Sequence, residues 1–229
     1  MKNSDRFFVT GTDTGIGKTV LSLLLMQHFH QEGKNPFYLK LIQTGCRDPF
    51  DTDSDAKFIY ENVAAFRGKD PADSVPYCFH NPKAPWFAAR DDGRRVDLSV
   101  LVAAVEGKST SHSPLILEGA GGLFVPVDAT TLMIDLPAML DAEVILAARA
   151  GLGTINHALL SIEALRVRGI GIAGIVFLDT VGTPEEMIRE NMEAIEKFSG
   201  IKVAGTIGKI SDFSNPGPEC FKPVAALFA

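Results

Sequence analysis

Short apolar runs alternate with stretches of helical period along this chain. Phe7-Phe8-Val9, Phe37-Tyr38-Leu39, Leu115-Ile116-Leu117, Val144-Ile145-Leu146 and the run from Ile172 to Leu178 place apolar residues at consecutive positions. That is the pattern of strands buried on both faces. From Lys18 the period changes, and Val20, Leu21, Leu24, Leu25, His28 and Phe29 fall on one helical face. Further helices are predicted at about 54–66, 97–106, 154–168 and 184–198. The last has a start signal: Thr183 as N-cap, Pro184 at the first helical position, and Glu186 completing a capping box. Strands of this kind separated by helices predict an α/β fold, a mostly parallel central sheet with helices on both faces. Residues 67–96 contain Pro71, Pro76, Pro82 and Pro85 and no clear period, so they read as a long connection of the sort that is often functional. Without repeats or linker composition, residues 1–229 read as one domain.

Composition narrows the class. Of 229 residues, 46% are hydrophobic and 22% charged, the balance of a globular rather than a disordered chain. Lys and Arg number 22 against 28 Asp and Glu, a net charge of −6 that argues against broad nucleic-acid binding. Cys46, Cys78 and Cys220 are sparse, odd in number and form no CxxC pair, so reduced thiols are expected. The N-terminus turns apolar for only four residues before Gly11, no signal peptide fits it, and no apolar run is long enough to span a bilayer. A cytoplasmic protein without membrane or nucleic-acid partners is expected.

The chemistry begins at Gly11-Thr12-Asp13-Thr14-Gly15-Ile16-Gly17-Lys18-Thr19, which follows a strand and opens a helix. Glycines let backbone N–H groups turn inward around phosphate oxygens, and the helix N-terminus adds its positive dipole end. Lys18 would bridge the outer phosphates, and the Thr19 hydroxyl would meet Mg²⁺. Gly11 lies five residues before Gly17, one more than in the standard P-loop. A P-loop NTPase-like fold follows.

In open α/β sheets, ligands sit beyond the carboxyl ends of the strands. The second strand leads into Lys40, then Thr44-Gly45; the third into Glu118, then a glycine turn, Gly119-Ala120-Gly121-Gly122. The strand near 143–148 runs into Gly151-Leu152-Gly153-Thr154-Ile155-Asn156-His157. Glu118 suits a nucleotide-bound Mg²⁺ with Thr19, and a further carboxylate could come from Asp51, Asp53 or Asp55. The five histidines lack metal-ligand spacing, with His157 expected to pack or hydrogen-bond within its helix, and Arg94-Arg95 reads as solvated.

Together these pieces resemble the dethiobiotin synthetase family. The matching segments are Phe8 to Thr14 through Gly17-Lys18-Thr19, Lys40 with Thr44-Gly45, Ser54-Asp55-Ala56, Glu118 to Gly122, and Gly153-Thr154-Ile155-Asn156-His157-Ala158-Leu159-Leu160. They lie in family order from residue 7 to about 180, and the long loop spacing is itself typical. The resemblance implies an ATP- and Mg²⁺-dependent cyclo-ligase that inserts CO₂ between the two amines of diaminopelargonate through carbamate and carbamic-phosphate intermediates. It implies catalytic roles for Lys18, Lys40 and Thr14, and Mg²⁺ held by Thr19, Asp55 and Glu118. Nucleotide contacts are implied at Gly15, Ile16, Gly17, Lys18, Thr19, Val20, Asp55, Glu118, Gly119, Ala120, Gly121 and Asp179. Substrate contacts are implied at Thr14, Lys40, Thr44, Gly153, Thr154, Ile155 and Asn156, with the substrate's carboxylate tail reaching across a homodimer. Three places depart from the family, and one is Gly205-Thr206-Ile207-Gly208-Lys209, which lacks the proline usual in the later base-side loop. Leu178 stands where an asparagine commonly reads the adenine edge, so weak base selectivity is expected. Trp86 replaces a small or imidazole side chain beside the diamine.

The nearest alternative is a nucleotide switch of the ParA or MinD kind. Such proteins carry a second lysine early in the loop, where this chain has Asp13. An amide-forming relative would need an attached glutaminase domain. A nucleotide-binding module without turnover is supported only by the altered base side.

Overall fold

The computed structural model describes residues 5–229; residues 1–4, the start of the segment read as no signal peptide, lie outside the described residues. Eight strands run β1 (Arg6–Gly11), β2 (Phe37–Lys40), β3 (Ile42–Thr44), β4 (Tyr77–Phe79), β5 (Leu115–Gly122), β6 (Glu143–Arg149), β7 (Ile172–Leu178) and β8 (Val203–Ile207). Eight helices run α1 (Lys18–Gln31), α2 (Asp55–Asn62), α3 (Pro85–Asp91), α4 (Leu98–Ser109), α5 (Leu136–Met139), α6 (Thr154–Val167), α7 (Glu185–Ser199) and α8 (Lys222–Ala226). Six strands form a sheet in the order β2-β5-β1-β6-β7-β8, every pairing parallel. The chain leaves β1 for the far edge at β2 and later continues on the other side at β6. This reversal opens a crevice at the carboxyl end of β1, where the glycine-rich loop lies.

The apolar runs became strands because both sheet faces are covered: Phe8, Val9, Leu117, Ile145 and Phe177 are fully buried. Helix α1 is buried on nearly every side rather than along one stripe. On its outer side the C-terminal segment folds back, with Phe228 against Phe7 and Phe29, and Gln27 Nε2 donating to the carbonyls of Asn62 and Phe213. Among the described residues no helix is long and apolar enough to cross a membrane. All three cysteines are free thiols.

Several local expectations change. Residues 67–96 are not an irregular connection, because β4 pairs in parallel with β3 and α3 opens on Pro85. The Pro residues there sit at helix starts and strand flanks, where no N–H is needed. The helix expected over 54–66 stops at Asn62: Val63 takes extended backbone and is buried, and a separate 3₁₀ turn follows at Ala64–Phe66. The glycines after Glu118 are not a turn, since β5 runs on to pair Gly122 with Gly11. The capping box at Thr183 does not form. Asp179 takes both the Thr183 amide, at 2.9 Å, and its hydroxyl, at 3.0 Å, and α7 starts after an uncapped Pro184. Arg94 is exposed, yet its guanidinium lies over the rings of Tyr77 and Phe79, so its charge rests on aromatic faces rather than in solvent alone.

Candidate functional site

The loop between β1 and α1 is shaped by its glycines. Gly17 holds φ 97°, which side chains rarely adopt, and a Cβ on it would come within 3.1 Å of Leu178. A Cβ on Gly11 would overlap the Ile16 side chain. Lys18 opens α1 and is buried, its amine donating to the carbonyl of Asp13 at 3.0 Å. Burial lowers its pKa, helped by the positive charge of Lys40, against the pull of Glu118 and Asp55. Thr14 and Gly15 are exposed on the outer turn of the loop, and Val20 is half-buried behind it. Thr14's amide donates to the Asp13 carboxylate at 2.7 Å.

Strand register builds the next part. The pairing of β2 with β5 sets Lys40 directly beside Glu118. Lys40 is 5% exposed and Glu118 0% exposed, and the amine lies 2.8 Å from Glu118 Oε1. It lies 2.6 Å from Asp55 Oδ2, which the first turn of α2 presents. Ser54 caps that helix by accepting from the Lys57 amide, and Gln43 Oε1 accepts from the Asp55 amide at 3.1 Å. The Thr19 hydroxyl lies 2.8 Å from Asp55 Oδ1 and 3.0 Å from Glu118 Oε1. Glu118 Oε2 accepts from Ser22 at 2.8 Å and Tyr38 at 3.0 Å. Burial pulls the Lys40 pKa down, but Asp55 and Glu118 outweigh it and hold the amine above the usual lysine range. Burial likewise pushes Asp55 up, and Lys40 with Thr19 overcomes this to hold its carboxyl below the usual range. The site thus gathers two ammonium groups and two carboxylates beside a loop of backbone N–H groups. Such a constellation can bind and polarise a polyphosphate.

The structure therefore brings together Lys18, Thr19, Lys40, Asp55 and Glu118, which stand far apart in sequence. Of the three candidate carboxylates, Asp55 joins the cluster, Asp51 accepts from Arg47 and the Thr52 amide, and Asp53 is exposed. Gly119, Ala120 and Gly121 continue β5 past Glu118, and a Cβ on Gly121 would lie 3.5 Å from Thr14 Oγ1. Thr44 ends β3, half-buried, next to Gly45, whose amide bonds Phe79. Asp179 follows β7, with its carboxylate occupied by Thr183. Gly153, Thr154, Ile155 and Asn156 form the start of α6, where Thr154 is buried and Asn156 exposed. His157 is exposed rather than packed. It lines a cavity of about 690 Å³ that runs from Thr12-Asp13-Thr14 along Leu123, Phe124 and Val125 to Leu160 and Val167.

Sequence reasoning missed Ser22, Tyr38 and Gln43. A signal for two of them was present: Tyr38 precedes Lys40 by two residues on one strand, and Ser22 follows Thr19 by three on one helix. Those spacings put each pair on one face.

An AAA domain family model matches residues 5–217. The chain is 43% identical over 195 residues to an ATP-dependent dethiobiotin synthetase of Anaeromyxobacter dehalogenans, covering 84% of each. It is 35% identical over 208 residues to an ATP-dependent dethiobiotin synthetase of another Anaeromyxobacter species, covering 90% of this chain and 91% of that one. Among solved structures it is similar to that of the MinC:MinD cell division protein complex of Aquifex aeolicus. The TM-score is 0.62 at 13% identity, over 98% of this chain and 94% of the other, a likeness of fold alone.

Proposed function

This chain belongs to the dethiobiotin synthetase family, ATP-dependent ligases that form carbon–nitrogen bonds, and from that premise we propose that it closes the cyclic urea of dethiobiotin from diaminopelargonate, CO₂ and ATP. One amine of the diamine adds to CO₂ and loses a proton, giving a carbamate. A carbamate oxygen attacks the γ-phosphorus of ATP, the bond to the β-phosphate oxygen breaks, and ADP leaves. The second amine attacks the carbamic carbon, phosphate departs, a proton is lost, and the ring is closed.

One observation carries the reading: Lys40 is clamped between Asp55 and Glu118 at 2.6 and 2.8 Å, on the rim that holds the phosphate loop and Lys18. A fixed ammonium there offsets charge on the carbamate as its oxygen approaches phosphorus, and Lys18 does the same for the transferring phosphoryl group. Thr14 and Thr44 orient the carbamate and diamine end. The start of α6, Gly153 to Asn156, offers its positive dipole end and backbone N–H groups to the substrate carboxylate, the Thr154 amide excepted, which donates to the Gly151 carbonyl at 3.2 Å. Thr19, Asp55 and Glu118 offer oxygen donors only, a set that fits a hard cation, and they would hold Mg²⁺. Bound there, it supplies charge neutralisation of the nucleotide phosphates.

Leu178 lies against Gly17 and offers no hydrogen bond to a purine, so base discrimination is weak. The protein acts in the cytoplasm, as one domain and as a homodimer. Exposed Phe124, Leu160 and Val167, at 60, 63 and 75%, line the α6 side of the groove, and a second copy would cover them. The test is a product assay: purified protein with diaminopelargonate, bicarbonate, Mg²⁺ and ATP forms dethiobiotin and ADP, detected by mass spectrometry. Absence of dethiobiotin with every triphosphate tried would remove the assignment.

A further inference from the structure

Glu118 is a carboxylate with no exposed surface, and four donors reach its two oxygens. They divide by side. Oε1 faces Lys40 and Thr19, at 2.8 and 3.0 Å, and so faces the site. Oε2 faces Ser22 of α1 and Tyr38 of β2, at 2.8 and 3.0 Å, and so faces the core. Tyr38 is itself fully buried, and its own carbonyl is held by the Ser74 hydroxyl at 2.6 Å. The phenol therefore reaches Glu118 from an anchored backbone. A hydroxyl bonded to a carboxylate is a strong, directional contact when both groups are out of water.

We propose that Tyr38 is a positioning residue, assisted by Ser22: it holds Glu118 Oε2 against the core so that Oε1 alone is presented to Thr19 and to a divalent cation shared with the nucleotide. Tyr38 touches neither nucleotide nor diamine on this account. It acts through Glu118, as an outer partner of a metal-binding carboxylate does. Removing its hydroxyl leaves Oε2 with Ser22 only. The carboxylate is then free to turn, and Oε1 no longer stays aimed at the cation position. The proposal rests on Thr19, Asp55 and Glu118 forming a cation site, as assigned above.

The test is Tyr38→Phe in the full chain, which removes one oxygen and keeps the ring that fills the core. Mn²⁺ serves as the probe, its free concentration read by electron paramagnetic resonance with saturating ADP. Retention of Mn²⁺ in the protein–ADP complex is expected to weaken by about 10-fold or more, the usual effect of losing an outer partner. ADP affinity without metal should stay unchanged. In turnover, the Mg²⁺ concentration for half-maximal rate should rise by a similar factor while KM for the diamine stays put. Unaltered Mn²⁺ retention would overturn the proposal, as would an equal loss of metal-free ADP binding, which marks a packing role. If Tyr38→Phe does not fold, Ser22→Ala carries the test, with weakened Mn²⁺ retention expected and wild-type retention overturning it. A wild-type protein that makes no dethiobiotin would sink the functional reading, while the Mn²⁺ measurement would still judge Tyr38.

Discussion

Lys18 and Lys40 stand on one rim, yet their surroundings act on them in opposite directions. Lys40 has two carboxylates within 2.8 Å and is held above the usual lysine range. Lys18 donates to the Asp13 carbonyl and is pushed below that range by burial and by Lys40, against the pull of Glu118 and Asp55. Either replacement by alanine should lower turnover at least about 100-fold, because each removes a cation aimed at developing charge. Stability separates them. Lys40→Ala leaves Glu118 buried without its counter-charge and should cost about 3–5 kcal/mol in urea unfolding. Lys18→Ala removes a charge that burial disfavours and should unfold at the same urea concentration or a higher one. Near-normal turnover in Lys40→Ala would overturn its role. The pH dependence has a definite sign at Asp55. Its folded pKa is lowered, so its contribution is present above the usual carboxylate range and disappears as pH falls through the lowered value. The stability gap between wild type and Asp55→Asn should therefore shrink on acidification, and a gap that widens would contradict the assignment. At Leu178, ATP, CTP and GTP should differ by about one order of magnitude in kcat/KM. A site that hydrogen-bonds a base edge rejects the wrong one by on the order of 10⁴, and discrimination of that size would show that other groups read the base. At this scale the sequence was legible where a polar residue follows an apolar run, as with Lys40 and Glu118, although both lie within their strands. It was silent on Asp55 until a resemblance was added, because three aspartates within five positions look alike before α2 is placed.

The elements explain why these groups meet. Register of β2 on β5 sets Lys40 beside Glu118, and the cap of Ser54 on α2 brings Asp55 to the same point. Ser54→Ala should lower stability by about 0.5–2 kcal/mol through loss of the cap. It should also raise the Mg²⁺ requirement, because Asp55 begins that helix; an unchanged requirement would show that Gln43 alone holds the Asp55 backbone. The parallel strands and main helices could be read from hydrophobic period, since both sheet faces are covered. β3, β4 and β8 could not. β3 and β4 are three residues each, and β8 carries Gly205 at its centre. The end of α2 at Val63 is decided by the core, which local sequence does not announce, while the Thr183 cap is lost to a local competitor, the Asp179 carboxylate four residues earlier.

At the scale of the molecule, the strand order reverses at β1 and places the phosphate loop, the lysines and the carboxylates at one edge, while α6 leaves an apolar face beside them. Leu160→Glu should turn a dimer into a monomer by sedimentation. A wild-type protein that sediments as a monomer would contradict the shared interface. If this edge activates a carbamate by phosphoryl transfer, as proposed, an oxygen atom carries the record of it. With ¹⁸O-labelled bicarbonate, diamine and ATP, a carbamate oxygen that attacks phosphorus leaves on phosphate when the ring closes. Inorganic phosphate carrying ¹⁸O, appearing together with dethiobiotin, is the predicted result; dethiobiotin accompanied by unlabelled phosphate would contradict it.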